Sequence, residues 1–273
     1  MTVAQKRKLR LPPEMREISG LTYLPDGTLW AINDSGNEPV LYQLNPHNGQ
    51  IMARQPLPVP NVDWEDLQTD PNGNFWIGDV GNNQSKRRKL VFYRYHRATG
   101  QLDSTVFSYP DQTEFPPATQ VARAFDVEAF VWANDTLHLF TKSRFAGNHF
   151  TKHYLIPAQP GVQTPILRDS FYLPKRAVTG AALSPDGKTL VLIAYFVKKR
   201  WFRVPYTRAT AYFFSNFPNQ HYFSGQMTKK RLPKFAVARQ FESVAACPNG
   251  KWRLANEGIL WQKPRLWTIR GKY

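Results

Sequence analysis

Residues 18–34 read ISGLTYLPDGTLWAIND. Two short segments, rich in apolar, β-branched and aromatic residues, flank Pro25-Asp26-Gly27, a turn in which Asp and Gly supply the unusual dihedrals. The stretch therefore reads as an antiparallel hairpin. The same turn returns at Pro185-Asp186-Gly187, with Pro71-Asn72-Gly73, Pro248-Asn249-Gly250 and Asn134-Asp135 in the same slot elsewhere. SGLTYL, EDLQTD, EAFVWA, TGAALS and ESVAAC precede these turns; TLWAIND, NFWIGD, TLHLFTK, TLVLIAY and KWRLANE follow them.

A third strand and a second turn come next, as in VLYQLNPHNGQI and LVFYRYHRATGQL, and then a fourth strand such as IMARQPLPV or RDSFYLP. Four antiparallel strands per repeat describe a propeller blade. The anchors Ser19, Glu65, Glu128, Thr179 and Glu242 recur every ~46 to 63 residues, which makes five blades in one domain over residues 1–273. A sixth blade is the alternative, if one of the two longest intervals hides a repeat without its turn signature. The C-terminal blade lacks a fourth strand of its own. VAQKRKLRLP is expected to supply it beside RLWTIRGKY, closing the ring and removing the open edges.

Composition agrees with a packed all-β chain: 42% hydrophobic and 14% aromatic residues are enough for a large core. No apolar run reaches the ~18 residues of a membrane helix. The single cysteine, Cys247, excludes an internal disulfide and argues against a cysteine zinc site; it is expected to be a small core residue. MTVAQKRKLRLPPE carries bases but no apolar h-region, so no secretory signal is read in this chain. The net charge of +16 draws anions.

The acids have a pattern of their own. With strands a to d counted outward, the d–a and b–c loops share one face. The anchors and the residues two before them, as in Glu17-Ile18-Ser19, Asp63-Trp64-Glu65 and Asp126-Val127-Glu128, are mostly acidic or hydroxylic around an apolar centre. A period of two sends the outer pair to the channel mouth and the apolar residue between blades. The ends of strand b supply a second ring: Asp34, Asp79, Lys142, Tyr195 and Glu257, with Asp34-Ser-Gly-Asn37 aligned on Asp79-Val-Gly-Asn82. Carboxylates converging on an axis either rise in pKa or bind a cation. Asp34, Glu65, Asp79, Glu128, Glu242 and Glu257 are the expected ligands, and an all-oxygen set favours calcium. A plug of solvated, hydrogen-bonded acids is the alternative.

Basic loops surround the same face. Arg87 sits in a run from Lys86 to Lys89. Lys142, Arg144 and Lys152 follow, with His149 and His153 close in sequence, and then Lys198, Lys199, Arg200, Lys263 and Arg265. A positive rim over an acidic centre suits an anionic small molecule or polymer. The expected activity is metal-assisted hydrolysis of a phosphoester or similar anion: Glu65 or Asp63 as general base, and Arg87, Lys142, Arg144 and Lys199 binding the substrate. The alternative is a non-catalytic module holding a glycan, peptide or anionic polymer through loop aromatics such as Trp201, Phe202, Phe214 and Tyr222, with a structural ion. GxGxxG, P-loop and HExxH motifs are absent, as are nucleic-acid reader motifs, so specific nucleic-acid binding is not expected. A monomer is expected.

The ordered motifs NDSGN, DWEDL and GDVGNN, with VEAF, VTGAALSPDGKTL and FESVA, resemble a family of bacterial β-propeller proteins, many of them secreted. That resemblance implies a propeller and a secreted or periplasmic setting. The chain is also loosely similar to calcium-dependent nucleotidase and phytase-like propellers, whose inner strands begin with glutamates around a central cation. Glu65, Glu128 and Glu242 match that arrangement, whereas Ser19 and Thr179 depart from it.

Overall fold

The computed structural model describes residues 8–142, 147–199, 205–233, 240–258 and 262–271. Its strands begin with β1 (Lys8–Arg10). Blade one is β2 (Ile18–Tyr23), β3 (Leu29–Asn33), β4 (Val40–Leu44) and β5 (Ile51–Pro56), hydrogen-bonded in that order. Blade two is β6 (Trp64–Thr69), β7 (Phe75–Asp79), β8 (Leu90–Tyr95) and β9 (Leu102–Phe107). Blade three is β10 (Val127–Ala133), β11 (Thr136–Thr141), β12 (Phe150–Pro157) and, after a short β13 (Gly161–Gln163), β14 (Ile166–Tyr172). Blade four is β15 (Ala177–Leu183), β16 (Thr189–Lys199), β17 (Pro205–Ser215) and β18 (Gln226–Arg231). Blade five is β19 (Phe241–Ala246), β20 (Lys251–Asn256) and β21 (Arg265–Arg270), completed by β1.

The inner strands contact one another in a closed circle, β2 to β6 to β10 to β15 to β19 and back to β2. The fold is a five-bladed β-propeller. The core follows from it. Each face of a blade must bury its apolar side chains against the next blade, and among the described residues the buried side chains form five clusters, one per blade interface. Trp30 and Trp64 pack with Phe75 between blades one and two. Phe92, Phe107 and Phe130 lie between two and three, and Phe140 and Phe214 between three and four. Trp252 packs with Phe213 between four and five, and Leu266 with Leu21 between five and one.

Among the described residues, neither long anchor interval hides a sixth sheet. One is taken up by the connection from β9 to β10, the other by the 11-residue strands β16 and β17. Ring closure pairs Lys8 with Trp267, Leu9 with Leu266 and Arg10 with Arg265. One feature was not foreseen: β13 leaves blade three and pairs in parallel with β9, giving blade two a fifth, outer strand.

The turns follow their local chemistry. Gly27 and Gly187 adopt φ of +81° and +70°, and Asn134 and Asp135 both have positive φ in the two-residue turn of blade three. Among the described residues no helix is long and apolar enough to cross a membrane. Cys247 is buried.

Candidate functional site

Every inner strand carries a register break at its anchor. Ile18 pairs with Asn33 and Gly20 with Ile32, leaving Ser19 without an opposite residue. Glu65, Glu128, Thr179 and Glu242 are skipped in the same way. A one-residue bulge re-aims the extra side chain. Strict alternation is therefore not what turns the anchors toward the axis; a bulge repeated five times does it. The two hydroxylic anchors serve the ring itself. Ser19 Oγ donates to the carbonyl oxygen of Trp64 at 3.0 Å, and Thr179 Oγ1 to that of Phe241 at 2.6 Å, each bridging to the next blade. The glutamate anchors have no proton to donate when ionised and lie in the channel mouth.

There they line a polar cavity of about 250 Å³ with Asp34, Asn83, Lys142, Gln240 and Glu257. One ligand oxygen from each of Asp34, Asp63 and Glu65 lies within 4.8 Å of the others; Glu65, Asp126 and Glu128 form a second such group. Asp126, which aligns with the anchors in sequence, joins the expected ligands here. Its Oδ1 accepts the Asn82 backbone N–H at 2.7 Å, and its Oδ2 is buried with no hydrogen-bond partner.

Burial and mutual repulsion dominate the electrostatics. Burial, then Asp34 and Asp126, pushes Asp63 up to about 6. Burial and Glu257 raise Glu242 to about 8; burial, Asp34 and Glu128 do the same for Glu257. Glu65 rises well above the usual range through burial, Glu128 and Asp34. Glu128 rises mainly through burial, although Lys142 opposes the shift. Burial also raises Asp34, against the Ser35 N–H it accepts. Burial alone would lower Lys142, but Glu128, Tyr195, Asp126 and Glu242 outweigh it and keep the ammonium charged.

The structure sorts the expected site residues. Asp34, Glu65, Glu128, Glu242 and Glu257 share the cavity, and Asp63 stands beside Glu65. Asp79 does not line it. In the ladder Asp79 pairs with Trp64, the slot that Asn33 holds opposite Ile18, so the match of NDSGN to GDVGN slips by one residue. The side chain of Asp79, 1% exposed, accepts the N–H groups of Val62 and Asp63 and pairs with Arg87 Nη2 at 2.7 Å. Arg87 also donates to the Gly81 carbonyl, so this pair braces the DWED entry and is committed there. The Lys142 ammonium is bonded to Glu128 Oε1. Arg144 lies outside the described residues, as does the side chain of Lys199.

Other rim expectations change too. His153 is fully buried in blade three, 2.9 Å from His138 and 3.0 Å from Asp169, far from the rim role suggested by its place in the sequence. Lys152 binds Asp111 at 2.7 Å. Phe214 and Tyr222 are core side chains, unavailable to grip a ligand, and Trp201 and Phe202 lie outside the described residues.

The donor chemistry fits a hard cation at Asp34, Asp63 and Glu65: all ligand atoms are carboxylate oxygens. Two observations support the fit. A Cβ on Gly81 would overlap the carboxylates of Asp63 and Glu65, so any side chain there would push them out of this arrangement. Asp126 Oδ2, buried beside Glu65 without a hydrogen-bond donor, keeps its lone pairs free for a cation.

Fold and site together define a class: a five-bladed propeller with a carboxylate cage at one mouth of its axis. Residues 13–194 match the model of the phytase-like family, described as having the esterase-like activity of phytase, and the chain belongs to that family. No curated protein matches it. Among solved structures the chain is similar to an α-L-arabinanase of Penicillium chrysogenum, with TM-score 0.53 and 10% identity over 98% of this chain and 99% of that one. It is also similar to virginiamycin B lyase of Staphylococcus aureus, with TM-score 0.44 and 11% identity over 97% and 88%. A third likeness is to hydrazine synthase of Kuenenia stuttgartiensis, with TM-score 0.44 and 13% identity over 88% of this chain. The chain spans only 56% of that synthase chain. At 10% identity the likeness to the arabinanase is one of fold alone.

Proposed function

We propose that the protein is a cation-dependent ester hydrolase, acting on a phosphoester or related anionic ester at the acid-lined mouth, with calcium as the ion. The observation that carries this reading is the convergence of Asp34, Asp63 and Glu65 within 4.8 Å, in a chain of the phytase-like family. Asp34 and Glu65 would hold the ion. When bound, it supplies positive charge that lowers the pKa of a nearby water and polarises an ester oxygen.

The chain's own groups do the rest. Asp63, raised to about 6, is mostly ionised near neutral pH yet more basic than an ordinary carboxylate, the range in which a general base works. The Lys142 ammonium keeps fixed positive charge in the cavity while the bulk of the acids repel one another. The excess of 36 bases over 20 acids draws anionic substrate toward the face.

The test is hydrolysis of p-nitrophenyl phosphate and p-nitrophenyl acetate after chelation, with and without added calcium, in wild type and Glu65→Gln. Calcium-restored turnover that the variant loses while still folded supports the reading. Stability that depends on calcium without turnover of either ester points instead to a binding module with a structural ion.

A further inference from the structure

We propose that Lys142 is a tethered cation: it fills, from within the fold, the second of two cation positions in the ring, so that the mouth takes one exchangeable ion instead of two. The proposal rests on the reading above that Asp34 and Glu65, with Asp63 beside them, hold the exchangeable ion.

The two carboxylate groups share Glu65, so they form one cage with two halves. In the first half, Lys142 and Arg87 act on the three acids only at longer range, since their ion pairs among the described residues are with Glu128 and Asp79. In the second half, Glu65 with Asp126 and Glu128, the ammonium of Lys142 is bonded to Glu128 Oε1. That half also contains the buried, unpartnered Asp126 Oδ2, an oxygen that protein donors leave without compensation.

The backbone shows that the lysine occupies a ligand position of the repeat. The Lys142 N–H donates to the Asp126 carbonyl at 2.7 Å. The same bond runs from Asp34 to Glu17 in blade one and from Glu257 to Gln240 in blade five. Two blades thus place an acid at this point of the repeat, and blade three places a base. Lys142 is the only basic residue among the described residues that line the cavity.

An ammonium at Glu128 and a divalent ion in the same half would repel at short range. The fixed charge therefore excludes a second ion. Its chemical consequence is selective. A lysine neutralises carboxylate and attracts an anionic ester, but unlike a second metal it activates no second water and clamps no leaving oxygen. The mouth is thereby built for one-ion chemistry.

The experiment counts calcium ions per chain, by titration calorimetry and by elemental analysis after desalting, in wild type, Lys142→Met and Lys142→Arg. The expected counts are one, two and one. Lys142→Met binding no more ions than wild type overturns the proposal, and so does wild type binding two. Two ions in Lys142→Arg would overturn it as well, because the charge is kept there. Lys142→Met is expected to melt far lower than wild type in chelator and to recover in calcium. Failure to fold even in saturating calcium refutes the proposal, since an ion able to take the ammonium's place would restore the fold. A wild type that binds no ion beside a Lys142→Met variant that binds one sinks the hydrolase reading but leaves the role of the lysine standing.

Discussion

In chelator, raising the pH should destabilise this protein in a window where most proteins are indifferent. Glu242 and Glu257 titrate near 8 when folded, against an ordinary value of 4.5. Their folded pKa lies above the unfolded one, so their stabilising effect is complete below about 4.5 and is lost as pH rises toward 8. Between pH 7 and 8 the unfolded chain has released both protons, whereas the fold still holds most of them. Each carboxyl then costs about 1.4 kcal/mol per pH unit, and the two together on the order of 2–3 kcal/mol, since ionising one hinders the other. At ~2–4 °C per kcal/mol for a chain this long, the melting temperature should fall by roughly 4–12 °C. The buried histidines barely affect this window, because they are neutral when folded and at most about a quarter protonated when unfolded at pH 7.

On the proposed reading, saturating calcium should bind the ionised carboxylates and flatten or reverse the slope. Scanning calorimetry at pH 7.0, 7.5 and 8.0, in chelator and in calcium, measures both slopes. A melting temperature in chelator that is flat or rising across this window would refute the argument that these acids are buried against one another.

Other outcomes follow from single contacts. Gly81→Ala puts a methyl into the Asp63 and Glu65 carboxylates and should weaken calcium binding at least ~10-fold by calorimetry, the scale of a disturbed ligand shell. Arg87→Ala strands the buried Asp79 and should cost about 2–3 kcal/mol in urea unfolding, with the ion count unchanged. Ser19→Ala and Thr179→Val each remove an interblade hydrogen bond, so each should cost about 1 kcal/mol, and their sum should appear in the double variant. Burial lowers His138 to about 3 and His153 in the same direction, so their contribution is present above pH 6.5 and is lost as pH falls. His138→Gln should flatten the decline in melting temperature between pH 6.5 and 4.5.

The amino-acid sequence alone determined the number of blades, their four-strand order and the closure by the N-terminal strand. Those follow from local physics: turn residues such as Asp26-Gly27 and Asn134-Asp135 and the apolar runs beside them act over a few positions, and their recurrence can be counted. It also brought Asp34, Glu65, Glu128, Glu242 and Glu257 to one face, because a position in a repeat fixes a position around the axis. What it left open were interactions between residues remote in the chain. The bulges at the five anchors appear only in the pairing register. The slip that moves Asp79 from the mouth to a bracing pair with Arg87 needs the ladder of blade two. The bond from Glu128 to Lys142, the free oxygen of Asp126 and the buried contact of His153 with His138 depend on distances and burial that only the closed ring sets, since a carboxylate's charge state is decided by what surrounds it in space.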